Sequence, residues 1–125
     1  MIFSQKEFDL RIKKVKDSMS KLGIDILIST DPSNMNYLTG YDGWSFYVPQ
    51  GVIVSADDNQ PFWFGRKQDS KGARITTFLN HDNIYGYPEK LIQSPPLHPY
   101  DFVVQLIKEK NWSSKKIGVE MDSYY

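Results

Sequence analysis

A chain of 125 residues suits one domain, which buries about two-thirds of the surface its unfolded form exposes. Fifteen basic residues balance fifteen acidic ones, so the chain lacks the positive field that phosphate backbones or anionic lipid would select, and nucleic acid and membrane are excluded as partners. Cysteine is absent, which rules out disulfides, thiolate nucleophiles and thiolate zinc sites and fits a reducing compartment.

The opening "MIFSQKEFDLRIKK" holds acidic residues and no apolar run of signal-peptide length, and no later apolar stretch approaches the roughly 20 residues of a spanning helix; the expected location is the cytoplasm. Ser4 and Glu7 have capping-box spacing, each side chain within reach of the other's backbone amide, and predict a helix start. Phe8, Ile12, Val15, Met19 and Leu22 then recur at threes and fours, with Lys13, Lys14, Lys16 and Asp17 between them. That is one apolar stripe on a solvated helix, and Gly23 is placed to end it in the left-handed conformation.

"IDILIST" reads as a short strand covered on both sides. In "TDPSNMNYLTG", Asp31 can cap, Pro32 suits the first helical position, and Gly40 closes a helix of about two turns. "FYVPQGVIVS", "ADDNQ" and "PFWFG" read as a hairpin, with Asp57, Asp58 and Asn59 at the turn and Pro49 marking an edge, a strand start or a bulge. "QDSKGARITTFL" offers a short helix capped by Asp69 and interrupted by Gly72, and "NIYGYP" a strand. "HPYDFVVQLIKEKNW" is helical, with Phe102, Val103, Leu106 and Ile107 at helical spacing, and Ile117 to Glu120 forms a closing strand. The alternation, with one hairpin inserted, predicts an α/β fold: a mixed sheet flanked by helices. Tyr124 and Tyr125, directly after an apolar strand, imply a natural chain that continues.

Groups for chemistry are scarce. His81 and His98 sit in the turn-like "NHDN" and "LHPY", too few and too separate to build a metal site; His81 with Asp82 could pair for catalysis, and the exposed-turn reading is the plainer one. Ser45 has no local histidine and does not match the G-x-S-x-G elbow. Asp57 and Asp58 are turn formers. Arg66 either clamps a carboxylate bidentately or pairs with Asp69 at a helix start. No catalytic residue and no metal ligand is therefore assigned within the chain.

The informative stretch is "NMNYLTGYDGWSFYVPQG", residues 34 to 51. Gly40 and Gly43 permit sharp turns, and in the extended run that follows Trp44 and Phe46 fall on one side, Ser45 and Tyr47 on the other. One domain can hardly bury both sets, so the rings form a wall for another polypeptide surface and a small ligand.

This run, continued by "GRKQDSKGA", "DNIYGYP", "HPYD" and "IGVEMDSYY", resembles the N-terminal domain of the creatinase/prolidase superfamily, and within it the ectoine hydrolases. The resemblance covers nearly the whole chain. It implies a ribonuclease-H-like α/β domain over residues 1–125, placed ahead of a larger catalytic "pita-bread" domain that this chain lacks. Members of the superfamily hydrolyse C–N bonds: the amidino bond of creatine, the cyclic amidine of ectoine, or the peptide bond before proline. Their reactive groups lie in the second domain, with two divalent metals in the peptidases and a histidine base without metal in creatinase. The resemblance thus implies no cofactor in this domain and leaves the metal of the catalytic domain undetermined.

The first domain of such enzymes supplies dimer contacts and a wall of the partner subunit's active site, where a Phe and, two residues later, an Arg approach the substrate. Phe46 matches the Phe, whereas Val48 stands at the Arg position, which removes an anchor for the carboxylate of creatine. Trp44 and Phe46 are accordingly the candidate substrate-binding residues, able to face an amidinium with a cation–π contact of about 0.5–2 kcal/mol. The implied whole is a homodimeric hydrolase of a small-molecule cyclic amidine, and the 125-residue piece alone is expected to be inactive. The alternatives are the N-terminal domain of an Xaa-Pro dipeptidase, an aminopeptidase or a creatinase, and a stand-alone dimerisation or interaction module.

Overall fold

The structure is a computed structural model that describes residues 4–43, 48–91 and 96–119. Helix α1, Gln5–Leu22, begins at Ser4, whose Oγ accepts from the Glu7 amide at 3.2 Å, and ends at Gly23 with φ 68°. The reciprocal half of the expected capping box is absent; the Glu7 carboxylate instead takes the Arg11 guanidinium one turn on, at 3.2 Å. Phe8, Ile12 and Met19 are buried, but Leu22, expected on the same stripe, is 68% exposed. The cap explains the difference. The amides of Gly23 and Ile24 donate to the carbonyls of Ser20 and Met19, a Schellman closure that delivers Ile24 to the core in place of Leu22.

Five strands follow the order β4-β3-β2-β1-β5, where β1 is Ile26–Ser29, β2 Gly51–Ser55, β3 Phe62–Arg66, β4 Ile84–Tyr87 and β5 Ile117–Val119. The pairs β1–β2 and β2–β3 are antiparallel, whereas β3–β4 and β1–β5 are parallel, so the sheet is mixed as the element order predicts. The remaining helices are α2 (Pro32–Thr39), α3 (Ser70–Thr76) and α4 (Pro99–Glu109).

The period of two along each strand divides the core. Val52, Val54 and Trp63 face the layer of α1, α2 and α3, where they meet Ile12, Met19, Met35, Leu38, Tyr41 and Ala73. Ile53, Phe62 and Phe64 point the other way, with Ile26 and Ile28, into the layer of Val103 and Leu106 from α4 and the neighbouring Trp112. Both faces of β2 are buried, which is why "GVIVS" shows no polar alternation. At the β5 edge, Ile117 is 36% and Val119 59% exposed, so the closing strand is apolar without being covered among the described residues; Glu120, expected to extend it, lies outside them.

Three further expectations are corrected. The first hairpin strand begins at Gly51, not in the run from Phe46; Val48, Pro49 and Gln50 precede it, and Phe46 and Tyr47 lie outside the described residues. Asp69 stands at the start of α3 without capping it, because its carboxylate is held by Arg66. Gly72 does not interrupt α3, and since a Cβ there would meet nothing within 4 Å, the glycine sits on an open face that tolerates it.

The start of α4 is more fully capped than its sequence advertises. His98 Nδ1 accepts from the Tyr100 amide at 3.0 Å, and the Asp101 carboxylate accepts from the His98 amide at 3.0 Å. This is a capping box with a histidine in the place of Ser or Thr, followed by Pro99 at the first helical position. His98→Ala is expected to lower unfolding free energy by about 0.5–2 kcal/mol, the usual loss for a removed cap, read as a shifted urea midpoint at unchanged slope.

Candidate functional site

Residues 44–47 of the ring-rich stretch lie outside the described residues, and the structure describes the chain on either side of them, Tyr41–Gly43 and Val48–Gln50. Helix α2 starts under the Asp31 side chain and closes at Gly40, φ 83°. Thr39 Oγ1 donates to the Met35 carbonyl at 2.8 Å and accepts from the Tyr41 amide at 3.1 Å, while Asn36 Nδ2 donates to the Tyr41 carbonyl at 3.2 Å. The Asp42 amide donates to Thr76 Oγ1 at 3.3 Å. The departing backbone is thus tied to α2 and α3 before the rings begin.

Tyr41 joins departure to return. Its ring lies 5.3 Å from that of Trp63, and its hydroxyl donates to Gln50 Oε1 at 3.1 Å. The chain doubles back tightly over this side chain: a Cβ on Gly43 would lie 2.2 Å from the Tyr41 hydroxyl oxygen, so no other residue fits there without displacing it. On the return side, the Pro49 carbonyl accepts from the hydroxyl of the fully buried Tyr87. Gln50 is itself 1% exposed. Its Nε2 and the Trp63 Nε1 are buried donors with no acceptor among the described residues.

Beside the departing chain is an open hollow of about 450 Å³ lined by Pro32, Ser33, Asn36, Tyr41, Asp42 and Gly43. Among the described residues, Asp42 carries the only charge in this lining and forms no ion pair. The hollow therefore offers a carboxylate and neutral polar groups beside Gly43.

Trp44 and Phe46, the substrate-binding candidates, lie outside the described residues, as does Ser45. Arg66 is resolved in favour of structure: its Nε and Nη2 both donate to the Asp69 carboxylate at 3.2 Å, a bidentate pair that leaves the fork engaged. His81 lies in an exposed short turn and His98 caps α4. Asp57 forms the exposed turn and meets Lys115 at 3.1 Å, and the neighbouring Asp58 carbonyl accepts from Lys16. Among the described residues no group of three or more His, Asp or Glu could hold a metal ion, and no helix is long and apolar enough to cross a membrane. Sequence reasoning missed Gln50 and the joining role of Tyr41; the one available signal was a lone amide in the otherwise apolar "VPQGVIV".

Comparison with known proteins agrees with this architecture. Residues 11–125 match the family model of the creatinase/prolidase N-terminal domain. The chain is 44% identical over 124 residues to an ectoine hydrolase of Halomonas elongata, covering 98% of this chain and 31% of that protein. It therefore spans about a third of that relative's length. In three dimensions it is similar to a proline dipeptidase from Streptococcus pneumoniae, with TM-score 0.70 and 19% identity over 90% of this chain and 74% of that one. It is also similar to the N-terminal domain of an Xaa-Pro dipeptidase from Lactobacillus brevis, with TM-score 0.72 and 14% identity over 88% of this chain and 75% of that one. At these identities the solved structures establish the fold, a five-stranded mixed sheet flanked by helices, and the family match covers most of the sequence: the chain belongs to the creatinase/prolidase N-terminal domain family.

Proposed function

We propose that the chain is the non-catalytic N-terminal domain of a cytoplasmic C–N bond hydrolase that opens a small cyclic amidine such as ectoine. Its ring-rich segment lines the active site of the partner subunit in a homodimer. The observation that carries this reading is the 44% identity to an ectoine hydrolase across 98% of the chain, far above the identity to the proline dipeptidases whose fold it shares. The hollow at the foot of the segment agrees with it, since Asp42 would attract the amidinium that Trp44 and Phe46 then face.

In the reaction, water adds to the amidine carbon and the ring C–N bond breaks, leaving an amide and an amine. The base that activates the water and the groups that stabilise developing charge belong to the C-terminal catalytic domain, as does any divalent metal. This chain's own residues bind, orient and exclude water. The Tyr41–Gln50 hydrogen bond ties together the chain on either side of the aromatic residues.

The test is an assay of the full-length protein with ectoine and, in parallel, with an Xaa-Pro dipeptide. Ring opening of ectoine by the full-length protein and no turnover by the 125-residue chain is the expected result. Hydrolysis of the dipeptide alone would transfer the assignment to the peptidase branch of the family. Activity in the isolated chain would overturn the division of labour itself.

A further inference from the structure

Ile117 is 36% and Val119 59% exposed, whereas β2, two strands away, is buried throughout. Their strand, β5, ends the sheet, and no other described strand pairs with its outer side. The hydrogen bonds show which backbone groups are left bare. The Lys116 carbonyl accepts from the Asp25 and Ile26 amides and so faces β1. Successive residues of a strand turn opposite ways, so Gly118 also faces β1, and the N–H and C=O of Ile117 and Val119 point outward. An edge of this kind is a template for a further strand.

The faces on either side of that edge are apolar and open. Register aligns Ile117 and Val119 with Ile26 and Ile28, whose side chains enter the α4 layer, and aligns Gly118 with Leu27, whose side chain packs in the α1 layer. On the α1 side lies an open hollow of about 310 Å³ whose lining includes Met19, Leu22, Ile24 and Leu27. Ile24 joins this hollow to the edge, since a Cβ on Gly118 would stand 3.0 Å from its Cδ1. Leu22, displaced from the core by the cap of α1, is 68% exposed on the same lining. A strand laid along β5 would send alternate side chains to the two faces, one set toward the hollow and the other beside Ile117 and Val119.

We infer that the polypeptide following this domain in the full-length protein adds a strand along the outer side of β5, pairing with Ile117 and Val119 and closing the hollow at Leu22. Length and position select this occupant over a second copy. The family is one of N-terminal domains, and the chain covers 31% of the ectoine hydrolase it matches, so most of such a protein lies outside it. That polypeptide departs from the β5 end of the chain; consecutive elements are usually neighbours, and the covalent tether gives it a higher local concentration than any separate molecule. The inference rests on the reading of this chain as the first domain of a longer protein, and it is independent of the reaction that protein performs.

Hydrogen exchange read by mass spectrometry on the full-length protein and on the 125-residue chain tests it. Outward amides with no partner in the shorter chain exchange without any opening of the fold, so general stabilisation cannot slow them, whereas a paired strand can. The Ile117 and Val119 amides are expected to exchange about 100-fold more slowly in the full-length protein. Equally fast exchange in both would overturn the inference. So would slow exchange already present in the shorter chain, which would mean that its own residues cover the edge. Leu22→Lys gives a second readout, with an expected change in melting temperature of less than about 3 °C in the shorter chain and a loss of about 5 °C or more in the full-length protein. Equal small changes in both would overturn the closing of the hollow. If the full-length variant fails to fold, exchange in the unsubstituted proteins still decides, and a substrate other than a cyclic amidine would alter none of these readouts.

Discussion

Trp63→Ala is expected to remove about 3–5 kcal/mol from the unfolding free energy, the range for truncating a large aromatic in a closed core. Trp63, in β3, is 0% exposed and belongs to the same core cluster as Met35, Leu38 and Tyr41 from the helical layer and Val52 and Val54 from β2. Its neighbours cannot collapse into the space. Trp63 pairs with Val52 across β2 and β3 and with Ile84 across β3 and β4, so the backbone on both sides is held by ladders. Against a typical stability of about 5–15 kcal/mol, the loss takes a large part of the total. Urea unfolding followed by far-ultraviolet circular dichroism measures it without depending on the removed fluorophore. A loss below about 1 kcal/mol would mean that this face of the sheet repacks freely, contrary to the burial described.

Phe46→Ala in the full-length protein is expected to reduce kcat/KM for a cyclic amidine about 10-fold while leaving the melting temperature nearly unchanged. A cation–π contact in a site that excludes water contributes up to about 2 kcal/mol, and 1.4 kcal/mol corresponds to a tenfold change. The separation of the two readouts matters more than the size of either. If Phe46 only fills the domain's own core, the melting temperature falls by roughly 10 °C or more and activity per folded molecule stays as it was. Steady-state kinetics and a thermal scan on the same preparation distinguish the two outcomes.

Periodicity and cap chemistry made most of the fold legible. Asp31, Pro32 and Gly40 bound α2 where the sequence places them, and the run Gly51–Ser55 is buried on both faces as an uninterrupted apolar strand should be. What the sequence could not display were the tertiary competitions. Asp69 had equal claim to cap α3 or to pair with Arg66, and only the bidentate geometry decides between them. Leu22 continues the stripe of α1, yet the closure at Gly23 brings Ile24, which lies off that stripe, to the core instead. At the candidate site, Tyr41 and Gln50 are nine positions apart, a spacing that corresponds to no helix or strand period, so their hydrogen bond leaves no local trace. Trp44 and Phe46 were singled out by their shared side of an extended run and by the family resemblance, and they lie outside the described residues.

Pairing between β1 and β5 brings Asp25 and Lys116, 91 positions apart, into direct contact. During synthesis at about 5–20 residues per second, the β1 edge waits roughly 5–20 s for its neighbour to leave the ribosome. In the later part of that interval, once β2 and β3 are made, the nascent chain exposes bare amides and carbonyls along Ile26, Leu27 and Ile28, a template for pairing with another copy. The nascent chain is thus most prone to clumping just before β5 emerges, and slower translation downstream of Tyr87 would lengthen that exposure.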